Sequence, residues 1–183
     1  MHDFIRDAHY KKLTAKEKIS LLHDASVGLQ TIHSKNVIHG DIKSHNLLVH
    51  RDERGKYSCS WGDLGGAIFL KFKGEKVKVE QGTSGWTAPE VFMGDGYSQA
   101  VDIFSFAMVM CDASVPGGFN NQLIGLDSAR YVEAVRRGLL PHLNRDGSGV
   151  AELVEYCWNF LAKNRPNIDQ VEERLLEELK LMQ

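Results

Sequence analysis

The spacing of apolar residues changes along the chain. Behind Thr14-Ala15-Lys16-Glu17, the residues Ile19, Leu22, Ala25 or Ser26, Leu29 and Ile32 recur at helical spacing, which predicts an amphipathic helix over 15–34. Thr14 and Glu17 form a capping box, in which a hydroxyl and a carboxylate satisfy free amides of the first turn. Residues 1–13 are polar and aromatic, with weak periodicity. After the helix the pattern turns extended. Val37-Ile38, Leu47-Leu48-Val49 and Tyr57-Ser58-Cys59-Ser60-Trp61 read as short strands, the last two joined by a charged turn ending at Gly55-Lys56. Residues 62–96 hold eight of the seventeen glycines, so this stretch is expected to be long and irregular. Inside it, Lys71 to Val79 alternates lysine with apolar residues around Gly74-Glu75, which predicts a hairpin with one lysine-rich face. Helical spacing returns over 99–113, 127–137, 149–161 and 168–181. Pro89, Pro116, Pro141 and Pro166 fall at helix starts or in connections. The fold class expected is mainly α (α+β), helices with a small β patch.

Composition narrows the function. A length of 183 residues allows one domain or most of one. A net charge of −2 excludes a strongly basic nucleic-acid binder. The longest apolar run, Ile103 to Cys111, falls well short of the ~20 residues that a spanning helix needs, so no membrane segment is expected. Met1-His2-Asp3-Phe4 is no charged-then-apolar leader. The three cysteines are odd in number and lack a C-x-x-C. Both features fit an intracellular, cytoplasmic protein with reduced, packed thiols.

The densest polar cluster places Asp41, Lys43 and Asn46 within six residues, between an extended pair and a strand. A second carboxylate, Asp63, ends the next strand and is followed by Leu64-Gly65-Gly66. Asn46 and Asp63 are oxygen ligands of the kind Mg²⁺ prefers. Asp41 is a candidate proton acceptor for a hydroxyl nucleophile, and Lys43 a cation to offset charge on a transferring phosphoryl group. Positioning and charge neutralisation are what phosphoryl transfer mainly requires. His33, His39, His45 and His50 spread over a helix end, a loop and a strand, so they read as packed or surface histidines rather than as a zinc site. Asp102 lies in an otherwise apolar helix and needs a buried partner. Residues 71–80 carry four Lys against two Glu, either a solvated face or a docking strip for acidic substrates or partners.

Taken together, these motifs resemble the C-terminal lobe of a eukaryotic protein kinase. The matching stretches are H-x-D-x-K-x-x-N from His39 to Asn46, Asp63-Leu64-Gly65, Gly82-Thr83-Ser84-Gly85-Trp86-Thr87-Ala88-Pro89-Glu90, Tyr97 to Phe106, Cys157-Trp158 and Asn164-Arg165-Pro166. They cover nearly the whole chain in order. The resemblance implies that Asp41 is the catalytic base and that Asn46 and Asp63 bind Mg²⁺. It also implies that Lys43 belongs to a serine/threonine-type catalytic loop, acting in catalysis and at the nucleotide. Leu48 would lie under the adenine of ATP and Thr83 in the stretch that meets the substrate hydroxyl. Asp102 would anchor the catalytic loop and Glu90 would pair with Arg165. His39 and Leu64 would pack in the internal spine. The Cys-Trp pair is similar to tyrosine-kinase-like serine/threonine kinases. The implied activity is transfer of the ATP γ-phosphoryl group to Ser or Thr hydroxyls of a protein substrate.

Three features depart from that pattern. The glycine-rich nucleotide loop, the lysine strand and the paired glutamate helix are not among residues 1–183. The chain therefore reads as a partial domain, the C-terminal lobe without its N-terminal lobe, with little activity by itself. A catalytically inactive, pseudokinase-like scaffold is the alternative from another class. His39-Gly40-Asp41 is also similar to the loop of aminoglycoside- and choline-type small-molecule kinases, but Ala88-Pro89-Glu90 and Asp102-x-x-Ser105-Phe106 favour the protein kinases. Lastly, Gly40 stands where the family's phosphate-receiving arginine is expected, and residues 67–81 contain no Ser, Thr or Tyr. Phosphorylation within 67–81 is therefore expected to play no part in control. Mass spectrometry of the protein purified from its native cells should find no phosphate there, and an activating phosphate in that interval would contradict the expectation.

Overall fold

A computed structural model of the protein describes every residue except 79–81, 95, 116, 146–147 and 183. The described chain is mainly α-helical. It carries α1 (His2–Arg6), α2 (Ala8–Lys12), α3 (Ala15–Ser34), α4 (Ala100–Ser114), α5 (Ser128–Arg136), α6 (Val150–Cys157) and α7 (Ile168–Leu181). Two small antiparallel sheets pair β1 (Val37–Ile38) with β4 (Ile68–Phe69) and β2 (Leu47–Arg51) with β3 (Tyr57–Trp61). In the second sheet Leu47 faces Trp61 and Arg51 faces Tyr57.

The helix starts follow from side-chain caps. Glu17 N donates to Thr14 Oγ1 at 3.2 Å, and Thr14 N donates to Glu17 Oε2 at 2.8 Å. Asn167 and Gln170 repeat that exchange at the start of α7. α3 buries Ile19, Leu22, Ala25, Ser26 and Leu29 and packs against α7 and β3. α4 is buried from Val101 to Ala113, as expected of a helix that is apolar on all sides and lies at the centre of the core.

Three readings are revised or completed by the structure. Residues 1–13 form two short helices, anchored by buried Ile5 and by Tyr10, whose hydroxyl donates to Ala113 O at 2.7 Å. Five-residue helices are too short to display a period. The predicted hairpin at 71–79 does not form among the described residues. Glu75 N donates to Phe72 O in a tight turn, and Val77 pairs with Tyr97 instead, both N···O distances being 2.9 Å. Val79 lies outside the described residues. The helix expected over 149–161 stops at Cys157, because Asn159 O is turned away to accept from Arg165 Nε at 2.8 Å. Pro116 also lies outside the described residues.

Arg165 ties the C-terminal helices to the centre. Its side chain is fully buried, and both guanidinium nitrogens meet Glu90, Nη1–Oε1 at 2.6 Å and Nη2–Oε2 at 2.8 Å. Nη1 also donates to Ala100 O and Nη2 to Phe160 O, and the guanidinium lies over the Phe104 ring. Fork-on-fork pairing of this kind is directional and strong. Glu90→Ala would leave a buried cation without its partner. It should lower unfolding stability by about 3–5 kcal/mol. Urea unfolding followed by circular dichroism checks this, and a loss below about 1 kcal/mol would mark the pair as a surface-like interaction.

Candidate active site

The loop from His39 to Lys43 leaves β1 and enters a short 3₁₀ turn, Ser44–Asn46. It is held from below by Asp102. Asp102 Oδ2 accepts from His39 N and from His33 Nε2, both at 2.8 Å, and Oδ1 accepts from Gly40 N at 2.9 Å. Ile42 is buried and fixes the loop on its far side. Gly40 adopts φ 78°, a left-handed conformation that a side chain would strain. The His39 ring then bridges two strand ends. Nε2 lies 3.1 Å from Gly62 O and donates to it, while Nδ1 accepts from Asp41 N at 3.4 Å. These two bonds define the Nε2-protonated tautomer.

On this base stands Asp41. Lys43 Nζ donates to its Oδ2 at 2.7 Å, Asn46 Nδ2 to the same oxygen at 2.9 Å, and Thr83 Oγ1 to Oδ1 at 2.7 Å. Lys43 Nζ also reaches Thr83 Oγ1 at 3.0 Å, which closes the ring. Burial raises the Asp41 carboxyl, but the bonds from Lys43, Thr83 and Asn46, together with the Lys43 charge, outweigh it and hold the group below its ordinary range. Thr83 is brought here by Gly82, which has φ 126°; a Cβ on Gly82 would lie 2.2 Å from Thr87 Oγ1. A cleft of about 220 Å³ opens between Gly40, Asp41, Asp63, Gly66, Gly82 and Thr83.

Asn46 and Asp63 sit at the open end of the β2–β3 ribbon, where Gly62 N donates to Asn46 O at 2.8 Å. Asp63 takes φ 58° and is exposed. Its carboxylate and Asn46 Oδ1 make no hydrogen bond among the described residues, while Asn46 Nδ2 is spent on Asp41. Among the described residues no group of three or more His, Cys, Asp or Glu is arranged to hold a metal. Two hard oxygen donors without protein partners fit Mg²⁺, which keeps several waters and takes phosphate oxygens as its other ligands. Leu48 lies beside Gly62 and is half exposed, an apolar surface open for a ring to cover. Leu64, the other residue of the expected spine, is 54% exposed in this chain, in a 3₁₀ turn entered from the left-handed Asp63, while His39 is buried.

Asp41, Lys43, Asn46 and Thr83 thus meet in one cluster, and Asp63 joins them on the cleft. Glu90, Arg165 and Asp102 lie in the support beneath. Sequence reasoning passed over two supporting residues. His33 bonds Asp102, and Gln99 Nε2 donates to His33 O at 2.8 Å and to Val37 O at 3.1 Å. Both sit at helix ends, and nothing in their spacing distinguishes them.

The lowered Asp41 carboxyl has a pH consequence. The unfolded chain titrates Asp near ~3.9 and the folded chain lower, so the stabilisation is complete above about pH 5 and is lost as pH falls through the folded value. A ¹³C carboxyl titration should find the Asp41 midpoint below that of a free Asp. Lys43→Met should move the midpoint upward, and an unmoved midpoint would show that Lys43 contributes nothing.

The comparisons agree with this geometry. The family model of protein tyrosine and serine/threonine kinases matches residues 1–175. Serine/threonine-protein kinase STY17 of Arabidopsis thaliana is 32% identical over 165 residues, 90% of this chain and 27% of that protein. Dual specificity testis-specific protein kinase 2 of Rattus norvegicus is 30% identical over 175 residues, 91% of this chain and 29% of that protein. The chain therefore spans less than a third of the length of these relatives. Arranged as it is around Asp41, and matched over nearly its whole length, the chain belongs to the protein tyrosine and serine/threonine kinase family.

Proposed function

We propose that residues 1–183 are the C-terminal lobe of a serine/threonine protein kinase of the tyrosine-kinase-like type, and that they supply its catalytic loop and Mg²⁺ ligands. The observation that carries this reading is the Asp41 carboxylate, gripped by Lys43, Asn46 and Thr83 beside Asp63, whose carboxylate makes no hydrogen bond among the described residues. A carboxylate has about four acceptor positions, and three are taken. The fourth is open to a Ser or Thr hydroxyl of a protein substrate. Asp41 accepts the proton of that hydroxyl as its oxygen bonds to the γ-phosphorus and the bond to the leaving ADP oxygen breaks. Its low pKa keeps it ionised and ready at neutral pH, so it orients the hydroxyl more than it withdraws the proton early. Lys43 Nζ, within reach of both Asp41 and Thr83, offsets charge growing on the transferring group. Asn46 Oδ1 and the Asp63 carboxylate would hold Mg²⁺, which would supply neutralisation of phosphate charge. Leu48 offers an apolar floor for adenine.

Two measurements test this. In the protein that carries this chain, Asp41→Asn should lower kcat by about 10²–10⁴-fold with little change in KM for ATP. Equal activity in the variant would overturn the assignment. In the chain itself, Mn²⁺ used as a paramagnetic probe should broaden the amide signals around Asn46 and Asp63, and Asp63→Ala should abolish the effect. Broadening centred elsewhere would remove the metal role. Metal binding without any transfer in the full protein would leave the non-catalytic scaffold as the surviving function.

A further inference from the structure

The segment between the two halves of the cleft holds a feature the catalytic reading does not use. Lys71, Lys73, Lys76 and Lys78 are all exposed, and none has an ion-pair or hydrogen-bond partner for its ammonium among the described residues. The acid between them, Glu75, accepts from the backbone N–H of Lys71 and offsets one of the four charges, so the described segment keeps an excess of positive charge. Two exposed aromatics, Phe69 at 80% and Phe72 at 61%, lie among these lysines. The segment is pinned at both ends. Leu70 N donates to Asn36 O at 2.8 Å, and Val77 exchanges two bonds with Tyr97. Between the pins, Lys73 and Gly74 form one wall of a cavity of about 400 Å³ whose other walls include Asn36, Ser98 and Asn167. The acid in that cavity, Asp169, is bonded by Gln30 at 2.8 Å. The result is a strip with a net excess of positive charge, apolar contact points and a polar recess.

We infer that this strip is a docking site for an acidic stretch of the protein substrate, and so selects substrates whose Ser or Thr is flanked by Asp or Glu. This deepens the kinase reading above and rests on it for the location of the acceptor hydroxyl. Chain geometry sets the reach. Ile38 faces Ile68 across the β1–β4 pair, and Asp41 lies three positions after Ile38, as Lys71 does after Ile68. At ~3.4 Å per residue and ~5 Å between strands, Lys71 lies no more than ~25 Å from Asp41, about seven residues of extended peptide. A segment with excess lysine charge attracts carboxylates over roughly a Debye length and repels basic sequences, which gives selectivity and speed of encounter. A bilayer is the other anionic surface to consider. A polybasic loop is drawn to anionic lipid as well; the peptide is the favoured occupant because the strip begins within reach of the carboxylate that would meet its acceptor hydroxyl.

The test uses the full chain and fluorescence anisotropy. The probes are a labelled Ser-centred peptide flanked by Asp and Glu, its Asn/Gln counterpart, and vesicles containing phosphatidylserine. The acidic peptide should bind at least tenfold more tightly than the neutral one and weaken steadily as salt rises. Lys71→Glu combined with Lys73→Glu should erase the preference, with an unchanged circular dichroism spectrum. Lys76→Gln combined with Lys78→Gln should reduce it by a smaller factor. Equal affinity for the two peptides, a preference that survives charge reversal, or vesicle binding without peptide binding would each overturn the inference. Asp41→Asn should keep the preference. Retained binding with no transfer in the full protein would defeat only the catalytic reading, and transfer without acidic preference would defeat only the docking strip.

Discussion

Asp102 is a carboxylate with 1% of its surface exposed, set in a helix whose residues are buried from Val101 to Ala113. Placing such a group in a core costs several kcal/mol unless hydrogen bonds replace its water. The replacements here are the amides of His39 and Gly40 and the ring of His33. The cost of the burial and the shape of the loop are therefore one interaction seen from two sides. Two successive amides can reach one carboxylate only if the backbone bends at Gly40, and that bend sets the direction in which Asp41 leaves the loop. His39 then passes the constraint to Gly62 and so to the strand end that bears Asp63. A single buried acid thus fixes elements that lie far apart in sequence.

The pair Glu90–Arg165 plays the matching part on the other side of α4. Arg165 collects carbonyls from Asn159, Phe160 and Ala100 as well as the carboxylate of Glu90. It ends one helix early, fastens the start of α4, and sets the entry to α7. Both anchors are ionisable side chains inside an apolar body. Interactions of this kind specify one arrangement more than they add stability, because any other packing leaves a charge unpaired.

Much of this was legible in the sequence where a pattern was long. The capped α3, the apolar α4 and the capped α7 could be read from period and end signals. The cluster around Asp41 could be read because Asp41, Lys43 and Asn46 lie within one short loop. Other parts were not legible for physical reasons. α1 and α2 are each shorter than the window that reveals a period. The lysine alternation at 71–78 imitates a strand, yet its partner is Tyr97, chosen by tertiary packing. Leu64 has the composition of a core residue, and only the left-handed Asp63 before it reveals that it points outward. His33 and Gln99 act through contacts that no spacing encodes.

Gly40 has one further effect. With no side chain between His39 and Asp41, the loop offers no cation to be gripped from above. Its shape comes from the helix underneath and is complete once that helix is packed. Order at Asp41 and integrity of the core therefore belong to a single cooperative unit. On warming, the geometry around the carboxylate persists until the helix bundle itself gives way, and the two vanish in one transition.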